Sequence, residues 1–149
     1  MIIIGEKING AIPSIKQAIA ERNEALIIER TLAQATAGAN FLDCAPSTAT
    51  EIEYETMVWL IGLMQRATDV PLCIDSPNAK LLARVIEEGH LNKPGMVNSV
   101  NEEGDKCETI FPLIAGTPWE VVGLTCDQEG IPADPVKKVE IAKRIIDKA

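Results

Sequence analysis

Residues 71–78 read PLCIDSPN: an apolar run, Pro71–Asp75, stops on a carboxylate, Ser76-Pro77 follows, and a helical pattern then covers Asn78–Glu88. A short apolar run bounded by turn residues is the pattern of a buried β-strand. A serine followed by proline supplies a capping side chain and a first-turn residue for the next helix. The unit is strand, turn, helix, and it recurs on both sides of this stretch. Further strands are predicted at Ile2–Ile4, Phe41–Asp43, Met96–Asn98 and Glu120–Leu124. Further helices are predicted at about Ala25–Ala37, Ile52–Ala67 and Lys106–Ala115, and from about Pro135 onward. Gly38 and Gly89 each follow a helix as its C-terminal stop. Asp134-Pro135 repeats the cap-then-proline signal, and Pro112 is expected to kink or shorten the helix it interrupts.

Alternating strands and helices imply parallel strands joined by right-handed crossovers. Two α/β architectures satisfy that order, an open doubly wound sheet and a barrel. The first strand–helix loop has neither GxGxxG nor GxxxxGK[ST], which weakens the nucleotide-binding readings. About five βα units are present, whereas a closed barrel needs eight and typically ~250 residues. Residues 1–149 are thus expected to form one domain, either a full open sheet or the N-terminal part of a single truncated barrel.

Composition narrows the function. Of 149 residues, 46% are apolar and 24% charged, the profile of a soluble globular domain. A formal net charge of −8 repels phosphate backbones and argues against nucleic-acid binding. No apolar run reaches the ~18–20 residues that span a bilayer. The N-terminus, MIIIGEKING, lacks the basic and long apolar regions of a secretory signal, so a cytoplasmic location is expected. Cys44, Cys73, Cys107 and Cys126 are too far apart for a zinc ribbon or a CxxC motif and read as free thiols acting as small apolar side chains. His90 is the single histidine, so neither a histidine-rich metal site nor a histidine triad is expected.

Polar residues gather where the strands end. The first strand runs into Glu6, Lys7 and Asn9; the next three end at Asp43, Asp75 and Asn98; Asp127 follows the fifth. Parallel strands are buried on both faces, so a carboxylate at the end of each apolar run needs a partner there. In barrels and open α/β sheets alike that edge carries the ligand site. Plainer roles compete. Asp127 reads first as the cap of the next helix, Asp43 also as a turn residue before Ala45-Pro46-Ser47, Asn98 also as a partner of loop backbone, and Glu6 and Asn9 also as solvated loop. Asp75 has less need of such a role, because Ser76 is the better-placed cap. An aspartate's two acceptor oxygens match the parallel N–H donors of a 2-amino-4-oxo pyrimidine ring, and an asparagine matches a ring nitrogen beside an N–H.

At these residues a family resemblance emerges. IGEKING (4–10), LDCAPS (42–47), CIDSPN (73–78), VNSVNEEGDK (97–106) and GLTCDQEGIP (123–132) occur in that order. Together they resemble the pterin-binding methyltransferases, which include methyltetrahydrofolate:corrinoid/iron–sulfur protein methyltransferase and the folate domain of cobalamin-dependent methionine synthase. The resemblance implies a TIM (β/α)8 barrel of the dihydropteroate synthase-like type. It implies transfer of a methyl group from methyltetrahydrofolate to the cobalt of a corrinoid protein, or the reverse, and a homodimeric full-length enzyme. By this resemblance Asp75 and Asn98 match pterin-holding side chains, Asp43 an acidic residue in or near the same pocket, and Asn9 a loop residue at the barrel mouth. Glu6 and Asp127 join the substrate-binding candidates from the strand-end pattern. No catalytic residue is assigned in this chain: the family's third pterin-binding Asp and the Asn that bonds the methylated nitrogen belong to later strands. Ala45 departs from the family, which often has Asn after the second-strand Asp. The implied chemistry is an SN2 displacement at the methyl carbon by Co(I), with the tetrahydrofolate amine leaving as a proton or hydrogen bond reaches it. Dihydropteroate synthase is the enzymatic alternative, though its NVTPDSF-type first loop is replaced here by IGEKING. A non-catalytic pterin-binding or scaffold module is the third.

Overall fold

A computed structural model describes all 149 residues. In chain order the elements are β1 (Ile4–Gly5), α1 (Pro13–Ala20), α2 (Glu24–Thr36), β2 (Phe41–Cys44), α3 (Thr50–Ala67), β3 (Leu72–Asp75), α4 (Ala79–Glu87), β4 (Met96–Val100), α5 (Lys106–Ile114), β5 (Glu120–Gly123) and α6 (Pro135–Lys148). The strands form one sheet in the order β1-β2-β3-β4-β5, and every pair is parallel. A doubly wound sheet reverses its order at a switch point. Here each strand is added on the same side of the last, so right-handed crossovers put the connecting helices on one face. Of the two architectures the sequence left open, the chain forms the curled half-barrel, compatible with part of a TIM-type barrel.

Alternation along the strands separates the two faces. Leu42, Cys44, Leu72, Ile74 and Val97 point to the helices and join a core of 27 buried residues that includes Ile27, Met57, Leu60, Met64, Leu82 and Ile110. Each large side chain fully buried there contributes about 1.5–3 kcal/mol. Phe41, Cys73 and Met96 point the other way and form a separate small cluster, with Ile4 and Val122 packed on it. This is the apolar floor of the concave face. One step further along the same face of each strand stand Glu6, Asp43, Asp75 and Asn98, so a polar rim follows from the strand period alone.

Several local expectations shift. The sequence reading had no helix over Pro13–Ala20, where Pro13 opens α1 and Ile15, Ala18 and Ile19 bury its inner stripe. Asn78, not Ser76, caps α4, accepting from Leu81 N, while Asp134 does cap α6 ahead of Pro135. Gly38 and Gly89 adopt positive φ of 88° and 71° directly after the caps of α2 and α4. Pro112 sits inside α5, whose last residue is Ile114. All four cysteines are free and buried. No helix is long and apolar enough to cross a membrane.

Candidate functional site

Asp43, at the third position of β2, is 2% exposed. Its Oδ1 is buried without a hydrogen-bond partner, and its Oδ2 meets only the Asn9 amide, at 3.5 Å. An ionised carboxylate in such a place lacks the donors that would replace water. Burial is the main reason its pKa rises from 3.8 to about 7; the Asp75 and Glu6 carboxylates add to the rise, and Asn9 opposes it. Asp75 closes β3, half-buried, and its pKa is also raised, first by burial and then by Glu6 and Glu53. Asp43, Asp75 and Glu6 are therefore one interacting group of acids.

Asn98 pairs with Asp75 in the β3–β4 register, just before a register shift between Asn98 and Val100. Its carbonyl accepts from Ser76 N at 3.1 Å, and its half-buried side-chain amide makes no hydrogen bond within the chain. Asn9 is set by backbone: the loop after β1 runs beside the end of β2, with Ala45 N donating to Ile8 O and Gly10 N to Ala45 O. A Cβ at residue 10 would lie 2.0 Å from the Pro46 carbonyl oxygen, so this close approach requires glycine. Asn9 Oδ1 accepts from Ala11 N at 2.9 Å, leaving its amide group directed at Asp43.

Two further residues hold this edge in place and escaped the sequence reading. Glu53, on the first turn of α3, is 7% exposed and accepts from Ser76 Oγ at 2.6 Å. Ser76 Oγ in turn accepts from Asn78 N at 3.0 Å, which fixes the turn that carries Asp75. Gln34, buried on α2, accepts from Lys7 N at 2.7 Å and so anchors the loop that carries Glu6. A signal was present for both. Glu53 starts the stripe that continues through Met57, Leu60 and Met64, and Gln34 ends the stripe of Ile27 and Thr31. A polar residue on a buried stripe needs a partner.

Asp127 stands apart from this group. It closes a surface turn with Gly130, and its side chain accepts from Glu129 N at 2.9 Å and pairs with Lys137 at 3.2 Å. These contacts, the backbone one first, lower its pKa. It neither caps α6 nor faces the other candidates. Of the six substrate-binding candidates, Glu6, Asp43, Asp75 and Asn9 thus come together, Asn98 lies beside Asp75, and Asp127 is engaged elsewhere.

What the assembled edge offers is acceptor capacity that the chain does not itself use, one carboxylate that holds a proton near neutral pH, and one free amide. A flat, N–H-rich heterocycle satisfies all three.

No family model matches the sequence. Over 151 residues, covering all of this chain, it is 48% identical to the methylcorrinoid:tetrahydrofolate methyltransferase of Eubacterium limosum, of which the match covers 55%. It is 30% identical to methionine synthase of Mycobacterium tuberculosis and 29% identical to that of Mycobacterium leprae, in each case over 98% of this chain but only 13% and 12% of those proteins. The chain therefore spans about half the length of the first of these relatives and a small part of the other two. The similarity points to the pterin/corrinoid methyltransferases.

Proposed function

We propose that this chain is the pterin-holding part of a cytoplasmic methyltransferase that moves a methyl group between methyltetrahydrofolate and the cobalt of a corrinoid protein. One observation carries this reading: the chain is 48% identical along its whole length to a methyltransferase named for a methylcorrinoid and tetrahydrofolate, and the same chain presents a buried, unpartnered carboxylate oxygen on its concave face. The five βα units are the N-terminal part of a (β/α)8 barrel of the dihydropteroate synthase-like type. In support, the sheet has open edges at β1 and β5, which three further strands would close. The full-length enzyme is a homodimer in this reading.

The residues fit a pterin. Asp75 and the orphaned Oδ1 of Asp43 are acceptors for the adjacent N–H donors of its pyrimidine ring, and a bond to an ionised carboxylate is stronger than a neutral one. The Asn98 amide supplies one donor and one acceptor to a ring nitrogen and its neighbour. Asn9 steadies Asp43, while Glu53 and Gln34 fix the loops on either side. The apolar floor of Phe41, Cys73 and Met96 lies beneath, a surface on which a flat ring can rest. A corrinoid held by a partner protein supplies the cobalt centre that gives and takes the methyl group. This chain's task is to hold the pterin in one orientation at the strand ends, where a partner approaching from above can reach it.

The test is the visible absorption of the complete protein mixed with cob(I)alamin and methyltetrahydrofolate. Methylcobalamin should form. Absence of any spectral change, with free cobalamin and corrinoid protein alike, sinks the reading.

A further inference from the structure

A second feature of the same rim has no role in the reading above. Between α1 and the start of α3 lies a cleft of about 410 Å3. Lys16 and Arg22 line it from one side, Ser47 and Thr48 from the other, and Ile19 and Ile52 give it apolar walls. In a chain of net charge −8, half of the 14 basic side chains are spent on ion pairs, and neither of these two makes one. Arg22 lies over the Trp59 ring at 4.5 Å, which orders the guanidinium without neutralising it. The Thr48 hydroxyl oxygen is buried and has no hydrogen-bond partner. The adjoining α3 follows Ala49 with no side-chain cap; Ile52 N donates to Ala49 O at 3.1 Å, and the Thr50 and Glu51 N–H groups are left without a capping side chain. Of the acids on that first turn, Glu53 is turned inward to Ser76, and Glu51 does not line the cleft.

The cleft is joined to the carboxylate edge. Ser47, on its wall, donates to Asn9 Oδ1 at 3.4 Å, and the Asn9 amide reaches Asp43 at 3.5 Å. An elongated ligand held at Asp43 and Asp75 can therefore pass over Asn9 and Ser47 into the cleft. A folate has the matching shape and charge: a pterin at one end, an aminobenzoyl bridge, and a glutamate end that is anionic at neutral pH.

We propose that the cleft between α1 and the start of α3 receives the carboxylate-bearing glutamate end of a folate whose pterin lies against Asp43 and Asp75. This rests on the function proposed above. The two cations meet the carboxylates, the Thr48 hydroxyl and the uncapped N–H groups of α3 donate to them, and Ile19 and Ile52 pack on the aminobenzoyl ring. Two unpaired cations at one cleft in a protein of net charge −8 give an anion a local attraction that the overall field does not.

The experiment is equilibrium binding by the complete protein of three probes at low salt: a tetrahydropterin without a tail, monoglutamyl tetrahydrofolate and triglutamyl tetrahydrofolate. Wild type should bind the triglutamate roughly fivefold more tightly than the monoglutamate, an advantage that fades as salt rises. Lys16→Glu changes an exposed position of α1 and leaves the core intact; it should abolish that advantage and leave the tailless pterin unaffected. The double variant Lys16→Gln/Arg22→Gln should behave likewise. A tail preference that survives both variants, or is absent in wild type while the tailless pterin binds normally, overturns the cleft assignment alone. Failure of all three probes to bind overturns the pterin site and the cleft together.

Discussion

Acidic residues at two places on the strand-end edge have opposite surroundings. At the ends of β2 and β3, Asp43 and Asp75 are short of donors, and both are raised in pKa. In the segments after β4 and β5, Glu102 is paired by Arg144, Glu103 by Lys106 and the Asn101 amide, and Asp127 by Glu129 N and Lys137, and all three are lowered. Residue type and position relative to the strands are alike in the two regions. What separates them is burial and whether the chain itself supplies the partner: burial leads the rise at Asp43 and Asp75, and hydrogen-bond partners lead the fall at the other three. A carboxylate already paired is a brace for the fold, whereas one buried and unpaired costs stability that only a ligand can return.

That contrast has a thermodynamic signature at Asp43. Its pKa rises from 3.8 to about 7 on folding, so between these values the folded chain binds more protons than the unfolded one. Stability therefore falls as pH rises from about 4 to about 7, and the penalty is complete above that. Between pH 8 and pH 5 this one group contributes about 2–3 kcal/mol. Asp43→Asn should remove that component, making the variant more stable than wild type at pH 8, with the advantage smaller at pH 5 and vanishing only below about pH 4. Urea unfolding across this range measures it. A wild-type-minus-variant difference that does not change with pH would break the comparison at its clearest point.

Ligand binding probes the same contrast from the other side. If the proposed pterin site is right, Asp75→Asn should weaken pterin binding by roughly 10- to 150-fold, equivalent to about 1.5–3 kcal/mol for a lost charge-assisted contact. Asp127→Asn, whose carboxylate is already taken up by Glu129 N and Lys137, should change it less than about twofold. Titration calorimetry with tetrahydrofolate and the complete protein separates the two. Equal losses would mean that position at the strand ends matters and partner supply does not.

The sequence made much of this legible because two periodicities meet at the site. Apolar runs ending on Asp43, Asp75 and Asn98 mark strands and place these side chains at one edge without reference to distant contacts. The strand order was not readable, since a five-unit alternation fits an open sheet and a half-barrel equally until the register is known. Helix α1 was overlooked because Ile15, Ala18 and Ile19 fill only two turns, too short for a strong period. Glu53 and Ser76 illustrate a different limit. Ser76 reads locally as a cap and Glu53 only as a polar residue on an apolar stripe, and the approach of α3 to the β3–α4 turn is what makes them a buried pair. Asp127 shows the same limit in reverse: its strand-end position was legible, whereas its pairing with Lys137, ten residues away on α6, was not.

The braced region offers the smallest and most discriminating test. Arg144 grips Glu102 with three contacts of 2.6 to 3.0 Å, tying α6 to the segment after β4. Arg144 is the leading cause of the lowered Glu102 pKa, with burial opposing it. A lowered carboxylate contributes stability above its unfolded pKa and loses it as pH falls through the folded value, the reverse of Asp43. Glu102→Gln should therefore lower Tm by about 2–4 °C at pH 7, with the gap to wild type closing as pH drops through the carboxylate range. Added salt should narrow the gap as well, because the pair is partly exposed. Pterin affinity should not change, since neither partner touches the Asp43–Asp75 edge. A Glu102 variant that binds pterin as poorly as Asp75→Asn would show that the brace and the site are one unit, and the division drawn between the two regions would have to be abandoned.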